Sequence, residues 1–153
     1  MPKVRWVKEP PLSWSYLSPS SPAIRNCKMK KPGNEEKSIL IVEDESAIGE
    51  FCHRVLSQHG FKVDVAGNGK IAQQMLEKGK YDLLLVDIRM PVMDGVELYR
   101  WLNKKRPQIA RRVIFTTGSV LGQETLNFLG STGKPFLLKP FSADELIGLV
   151  KKL

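Results

Sequence analysis

The 153-residue sequence is poor in several residue types that mark particular classes of protein. It has two cysteines, Cys27 and Cys52, and two histidines, so no thiolate or imidazole metal spacing exists and a structural disulfide is not expected. No apolar run approaches the roughly 18 residues that a membrane-spanning helix needs, and the N-terminus lacks the apolar stretch of a signal peptide. We therefore expect a cytoplasmic protein that does not bind membranes.

Acidic residues are outnumbered, with 16 Asp and Glu against 24 Lys and Arg, which gives a net charge of +8. Residues 1–37 carry eight Lys and Arg and three Glu, a net of +5, so residues 38–153 hold the remaining +3. The same segment contains six of the ten prolines and little hydrophobic periodicity. We predict a basic, poorly ordered tail at 1–37 followed by one folded domain at 38–153, so the charge excess is weak evidence for nucleic-acid binding.

The tail allows three interpretations that the sequence leaves open. Trp6, Trp14 and Tyr16 lie among prolines and basic residues, as in a partner-docking peptide, a segment packed on the domain, or a disordered extension. Met29 could itself be a translation start, so we hypothesise that residues 1–28 are either an upstream extension or the product of a mis-set translation start.

From residue 38 onward, two patterns alternate and indicate the fold class. Short, nearly continuous apolar runs predict five strands, at 38–42, 61–66, 82–86, 112–117 and 135–138. Apolar residues with three- and four-residue spacing predict five helices between and after them, around 47–56, 71–76, 96–102, 121–129 and 143–153. Apolar strands separated by helices predict a parallel sheet covered by helices on both faces.

Chemically reactive side chains follow four of the five predicted strands. Glu43–Asp44–Glu45 follows the first strand, Asp87 the third, Thr116–Thr117 the fourth and Lys139 the fifth. The carboxyl ends of parallel strands lie at one edge of a sheet, so we expect these groups to meet in one cleft. Clustered carboxylates repel one another unless a cation neutralises them, and an all-oxygen set suits Mg²⁺.

Four sequence stretches resemble the receiver domain of two-component response regulators, over about residues 38–153. They are ILIVEDE at 39–45, LLLVDIRMPVMDGVEL at 83–98, VIFTTGS at 113–119 and FLLKPFS at 136–142. The resemblance implies a three-layer (βα)5 flavodoxin-like fold whose five-stranded parallel sheet has the order 2-1-3-4-5.

The resemblance also implies roles for the residues at the strand ends. Asp87 would accept a phosphoryl group from the phosphohistidine of a sensor histidine kinase or phosphotransfer protein. Asp44 and Asp87 would bind Mg²⁺ directly, Glu43 would bind it through a water, and the backbone carbonyl of Arg89 would supply another oxygen. The metal and Lys139 would neutralise charge on the phosphoryl oxygens.

Two further residues would transmit the signal, according to the same resemblance. The Thr117 hydroxyl would bind the phosphoryl group, and the Phe136 ring would turn inward as Thr117 moves. The family commonly has an aromatic residue at this place, and a phenylalanine lacks the hydroxyl of a tyrosine. The Lys139–Pro140 bond would be cis, as in the family.

Each of these residues also has a simpler structural interpretation. Asp44 could cap the first helix, and Lys139 could be a surface lysine before a proline turn. Thr116 competes with Thr117 for the hydroxyl role, and Phe136 could be an ordinary core residue.

Two basic features call for separate hypotheses. We predict that the Arg89 side chain crosses the mouth of the phosphoryl pocket and changes the access of the hydrolytic water. The basic residues at 104–106 and 111–112 could suggest nucleic-acid binding, but no DNA-binding module follows them, so we favour a solvated charged loop.

The sequence therefore predicts a single-domain response regulator, a monomer or weak homodimer, that binds a downstream target protein and no nucleic acid. It would catalyse only its own phosphorylation and dephosphorylation and would not act as an enzyme on other substrates. One rival is a receiver-like scaffold that acts without phosphorylation. Another is a Mg²⁺-dependent phosphohydrolase with an Asp nucleophile, which would need a second Asp where this chain has Arg89.

Overall fold

The structure, a computed structural model, describes residues 35–118 and 122–153. The predicted tail lies almost wholly outside the described residues, as does Cys27. In chain order the elements are β1 (Ser38–Val42), α1 (Ser46–Gln58), β2 (Lys62–Ala66), α2 (Gly69–Lys78), β3 (Leu83–Asp87), α3 (Gly95–Lys105), α4 (Pro107–Ala110), β4 (Val113–Thr117), α5 (Gln123–Thr132), β5 (Phe136–Leu138) and α6 (Ala143–Val150).

The five strands form one parallel sheet in the order β2-β1-β3-β4-β5, which confirms the predicted order 2-1-3-4-5. All five residues of β3 and all five of β4 are buried, because both strands are covered by helices on each face. In register, Ile41 of β1 lies beside Leu85 of β3, and Asp87 of β3 lies beside Thr116 of β4. The carboxyl ends of the central strands are therefore level with one another.

Alternate residues along the strands divide the core into two layers. Leu40, Val86 and Phe115 pack on one face of the sheet with apolar residues from α2, α3, α4 and α5. Ile41 and Ile114 pack on the other face with residues from α1 and α6. The fold is thus the predicted three-layer arrangement.

The second of these layers contains Cys52, which is a free thiol and 1% exposed. Burial raises the pKa of this thiol to about 12, so it acts as a small apolar side chain and not as a nucleophile. None of the helices in the described residues is long and apolar enough to cross a membrane.

The helix ends differ from the predicted ends in two places. A short extra helix, α4, begins at Pro107, because a proline starts a new helix readily but cannot continue the preceding one. The last helix ends at Val150 and not at Leu153, with a turn after it. Its predicted start is confirmed, since Ser142 and Glu145 form a reciprocal capping box.

Candidate functional site

The carboxyl ends of β1, β3 and β5 bring a lysine into contact with three carboxylates. Lys139 Nζ lies 2.7 Å from Glu43 Oε2 and 3.2 Å from Asp87 Oδ2, and 3.8 Å from Glu45 Oε1. The backbone N–H of Lys139 donates to the Thr117 carbonyl at 2.8 Å, which fixes the start of the lysine side chain beside β4. The Lys139–Pro140 peptide bond is cis, as predicted.

Three acidic residues at this edge offer a set of oxygen ligands. Glu43, Asp44 and Asp87 each have a carboxylate oxygen within 4.8 Å of the other two. Glu43 and Asp87 are 4% and 5% exposed, whereas Asp44 lies at the exposed side of the group. An all-oxygen set with one solvent-facing member fits Mg²⁺, which keeps several of its waters and takes few protein ligands.

Burial makes the two carboxyls harder to ionise, and Lys139 offsets only part of this effect. Burial raises the pKa of Glu43 to about 7, although the hydrogen bond from Lys139 acts in the opposite direction. Burial also raises the pKa of Asp87 against the effect of the Lys139 charge. Burial alone would lower the pKa of Lys139, but its hydrogen bond to Glu43 and the charge of Asp87 outweigh this and raise it. A divalent cation would relieve the remaining repulsion.

Arg89 contributes to the site through its backbone, and its side chain reaches the start of α5. Its backbone N–H donates to Asp87 Oδ1 at 3.3 Å, which helps to orient the carboxylate. A methyl group built on Gly122 would lie 3.6 Å from Arg89 Nη2, so the side chain reaches from the loop after β3 to the start of α5. The Arg89 carbonyl stays a predicted metal ligand.

The loop between β3 and α3 is held tightly against the end of β3. Met93 N donates to the Pro91 carbonyl at 2.8 Å across Val92, whose φ of 71° is uncommon for a β-branched residue. Gly95 N donates to the Ile88 carbonyl at 2.9 Å, and a Cβ on Gly95 would lie 2.4 Å from the Asp87 carbonyl oxygen. The sequence alone suggested no role for Gly95. Its position directly after Asp94, the N-cap of α3, was a signal that could have indicated one.

The two candidate threonines are both buried at the end of β4. Thr116 pairs in register with Asp87, so the two side chains project to the same face of the sheet, while Thr117 is the last residue of the strand. Each is 2% exposed. The structure leaves both hydroxyls as candidates, and the role of Thr117 stays a prediction.

Three of the simpler interpretations are wrong for this structure. The N-cap of α1 is Glu45 and not Asp44, and it makes no side-chain capping hydrogen bond. Phe136 is 41% exposed at the edge strand β5, so it is not an ordinary core residue. Lys139 is likewise no surface lysine, since its side chain is only 13% exposed.

Known proteins similar to this chain include several regulators of transcription. A probable transcriptional regulator of Porphyra purpurea, ycf29, is 34% identical over 116 residues, which are 76% of this chain and 56% of the relative. The transcriptional regulatory protein PcoR of Escherichia coli is 30% identical over 115 residues, which are 75% of this chain and 50% of the relative. The chain thus spans about half the length of these relatives.

Solved structures of receiver domains superpose on this chain. A CheY-like response regulator receiver domain protein from Methanospirillum hungatei superposes with a TM-score of 0.71 at 29% identity, covering 77% of this chain and 93% of that one. A response regulator receiver domain from Francisella superposes with a TM-score of 0.66 at 30% identity, covering 76% and 95%. A family model of the response regulator receiver domain matches residues 39–151. The chain therefore belongs to the receiver domain family of two-component response regulators.

Proposed function

We propose that the chain is a phosphorylation-controlled signalling switch that accepts a phosphoryl group on Asp87. The observation that carries the proposal is the grouping of Asp87 with Lys139, 3.2 Å away, and with the carboxylates of Glu43 and Asp44. Aspartyl phosphorylation and Mg²⁺ binding are typical of receiver domains, and the phosphodonors of the family are histidine kinases and phosphotransfer proteins.

In the proposed phosphoryl transfer, the residues of the site have different roles. An Asp87 carboxylate oxygen attacks the phosphorus of the donor phosphohistidine, and the bond from phosphorus to the imidazole nitrogen breaks. Glu43, Asp44 and Asp87, with the Arg89 carbonyl, would hold a Mg²⁺ ion, which would supply positive charge to the phosphoryl oxygens. Lys139 already donates to Asp87 and shifts its hydrogen bond to a phosphoryl oxygen.

The phosphorylated state would differ from the unphosphorylated state at the end of β4 and around the edge strand β5. A threonine hydroxyl at the end of β4, Thr117 in our proposal, binds the new phosphoryl group. Phe136 starts this transition 41% exposed and turns toward the space that the threonine leaves. The change alters the surface around β5, to which a downstream target protein binds.

The proposal is tested by direct phosphorylation of the purified chain. Incubation with Mg²⁺ and acetyl phosphate should add one phosphoryl group that is stable in acid and labile in base. Asp87→Asn should abolish the adduct, whereas Asp144→Asn, a matched change at the exposed start of α6, should keep it. Chelation of the metal should also abolish it.

Failure of this experiment would favour the scaffold that acts without phosphorylation. If no adduct forms with either acetyl phosphate or a panel of phosphorylated histidine phosphotransfer proteins, Asp87 is not a phosphoacceptor. No observation favours the phosphohydrolase, because the residue two positions after Asp87 is Arg89, whose side chain cannot act as a general acid.

A further inference from the structure

A large groove lies at the edge of the sheet opposite to the acidic site. It is formed by the ends of α2 and α3, by α4, and by the loops that lead into β3 and β4. Its volume is about 740 Å³, which is within the usual range of ligand-binding clefts. Because β3 and β4 begin here and end at Asp87 and Thr117, the groove and the phosphoacceptor site are separated by the length of the sheet.

The groove is strongly basic. Five cationic side chains line it: Lys80, Lys105, Arg106, Arg111 and Arg112. Its one carboxylate, Asp82, accepts a hydrogen bond from Ser38 N at 2.8 Å and is thereby engaged with β1. Within residues 35–118 and 122–153, every ion pair shorter than 4.0 Å involves Lys139, so none of the five cations is neutralised by a described carboxylate.

Helix electrostatics explain only part of this charge. Lys105 is the last residue of α3, where a cation stabilises the negative end of the helix dipole. Arg111 is the C-cap of α4, a helix of only four residues with a small dipole, and Arg112 stands just before β4, where a strand start supplies no comparable dipole. An unpaired group of arginines in a concave surface is a recognition feature for anions, since each guanidinium can bind phosphate through two parallel hydrogen bonds.

Apolar groups lie among the cations of the groove. Leu76, Tyr81, Pro107 and Ile109 contribute to its lining. The Tyr81 hydroxyl donates to Asp64 at 2.8 Å, so the ring is held in place and remains half-buried in the wall. A fixed aromatic ring beside cations suits a ligand that has both flat apolar groups and negative charges.

We propose that this groove binds single-stranded nucleic acid, with the cations on its phosphodiester chain and unpaired bases against the apolar wall. An acidic peptide without aromatic residues would satisfy the charges but would bring no flat group for Tyr81. A duplex keeps its bases stacked inside and could not place them in a cleft of about 740 Å³. The proposal goes beyond the phosphoacceptor function, and it replaces the expectation that the basic residues at 104–106 and 111–112 form only a solvated charged loop.

Fluorescence anisotropy with a labelled 12-nucleotide oligothymidylate and the full chain tests the groove. The double variant Arg106→Gln/Arg111→Gln removes two groove cations, and Lys151→Gln/Lys152→Gln removes two exposed cations after α6. Both variants keep the basic tail, so the difference between them reports on the groove alone. For single strands the slope of log K against log salt changes by about 0.7 for each lost phosphate contact, so the groove variant should lose about 1.4. Its affinity at low salt should fall on the order of tenfold or more.

Three results would overturn the proposal. An equal loss in both double variants would mean that net charge and not the groove determines binding. Equal affinity for a 12-base-pair duplex would contradict recognition of unpaired bases. Tighter arginine-dependent binding of a peptide of twelve glutamates would assign the groove to an acidic protein instead. Phosphorylation by acetyl phosphate should be unchanged in both variants, which separates failure here from failure of the phosphoacceptor proposal.

Discussion

Lys139 is the residue on which the charge balance of the acidic site depends. Its ammonium lies within 4.0 Å of Glu43, Glu45 and Asp87, two of which are buried. Loss of the lysine would leave two buried carboxylates close together without a protein cation, which is far more costly than loss of an exposed ion pair. In the proposed mechanism the same ammonium pairs with Asp87 before phosphorylation and with the phosphoryl group after it.

The hydroxyl that receives the phosphoryl group can be identified by a pair of matched substitutions. We expect Thr117→Ala to lower the rate of phosphorylation by acetyl phosphate about tenfold, because one hydrogen bond to a charged group contributes roughly 1.5 kcal/mol. Thr117→Ser should restore most of the rate. Thr116→Ala makes the same change one residue earlier and should have little effect. A large loss in Thr116→Ala alone would reassign the hydroxyl to the residue that pairs with Asp87 in the sheet.

Arg89 should control the lifetime of the aspartyl phosphate. Its side chain reaches Gly122, and we expect this path to cross the opening above Asp87, so Arg89→Ala should admit water more readily. If the side chain adds about 1 kcal/mol to the barrier, dephosphorylation should accelerate about fivefold. The rate is measured by loss of radiolabel after removal of the phosphodonor, with the exposed Arg100→Ala as control. Equal rates in the wild type and Arg89→Ala would contradict the prediction.

The sequence was informative about these residues because strand ends are easy to locate. Asp87 and Lys139 each follow an apolar run, and parallel strands bring such positions together without any knowledge of loop shape. The approach of Glu45 to Lys139 and the path of the Arg89 side chain to Gly122 depend on loop conformation. Loop conformation is set by local hydrogen bonds that a periodic pattern does not encode.

At the scale of elements, the start of α3 determines how the loop after Asp87 is held. Gly95 is the first residue of α3, and it packs its backbone directly on the end of β3. A Cβ there would lie 2.4 Å from the Asp87 carbonyl oxygen and 2.9 Å from Ile88 Cα, which are both backbone atoms. Backbone cannot rotate away as a flexible side chain can, so the helix or the strand end must move.

Gly95→Ala should therefore lower both stability and phosphorylation. Overpacking of this kind costs about 1–3 kcal/mol in the free energy of unfolding, measured by urea denaturation. Gly148→Ala is the matched control, because a Cβ there meets nothing within 4 Å and alanine favours a helix interior. A Gly95→Ala protein as stable as the wild type would show that the contact relaxes without cost.

The elements themselves were largely predictable, and the exceptions have physical reasons. Strands β3 and β4 are buried on both faces and appear in the sequence as nearly continuous apolar runs. Helix α4 was missed because four residues are too few to show a helical period. Helix α6 was predicted too long because the apolar Leu153 continued its period, although the last residues form only a turn.

At the scale of the whole molecule, the two ends of the sheet carry opposite charge. The carboxyl edge holds Glu43, Asp44 and Asp87, and the amino edge holds the basic groove. The net charge of +8 describes neither edge, since it sums the tail, the acidic site and the groove. A bound cation at the carboxyl edge and a bound anion at the amino edge would each relieve repulsion at separate places, so the two ligands should bind independently.

Stabilisation by Mg²⁺ tests the charge balance of the carboxyl edge in the intact protein. A ligand that binds only the folded state adds about 1.4 kcal/mol to the free energy of unfolding at tenfold its dissociation constant. Added Mg²⁺ should therefore raise the midpoint of thermal unfolding of the full chain, and chelation should reverse the rise. Asp44→Asn should abolish most of the response, because it removes the exposed ligand while leaving the buried pair with Lys139 in place. Asp144→Asn changes an equivalent charge at α6 and should respond like the wild type. If Asp44→Asn responds as fully as the wild type, the Asp44 carboxylate is not a ligand of the metal, and any metal would have to be held by the buried carboxylates Glu43 and Asp87.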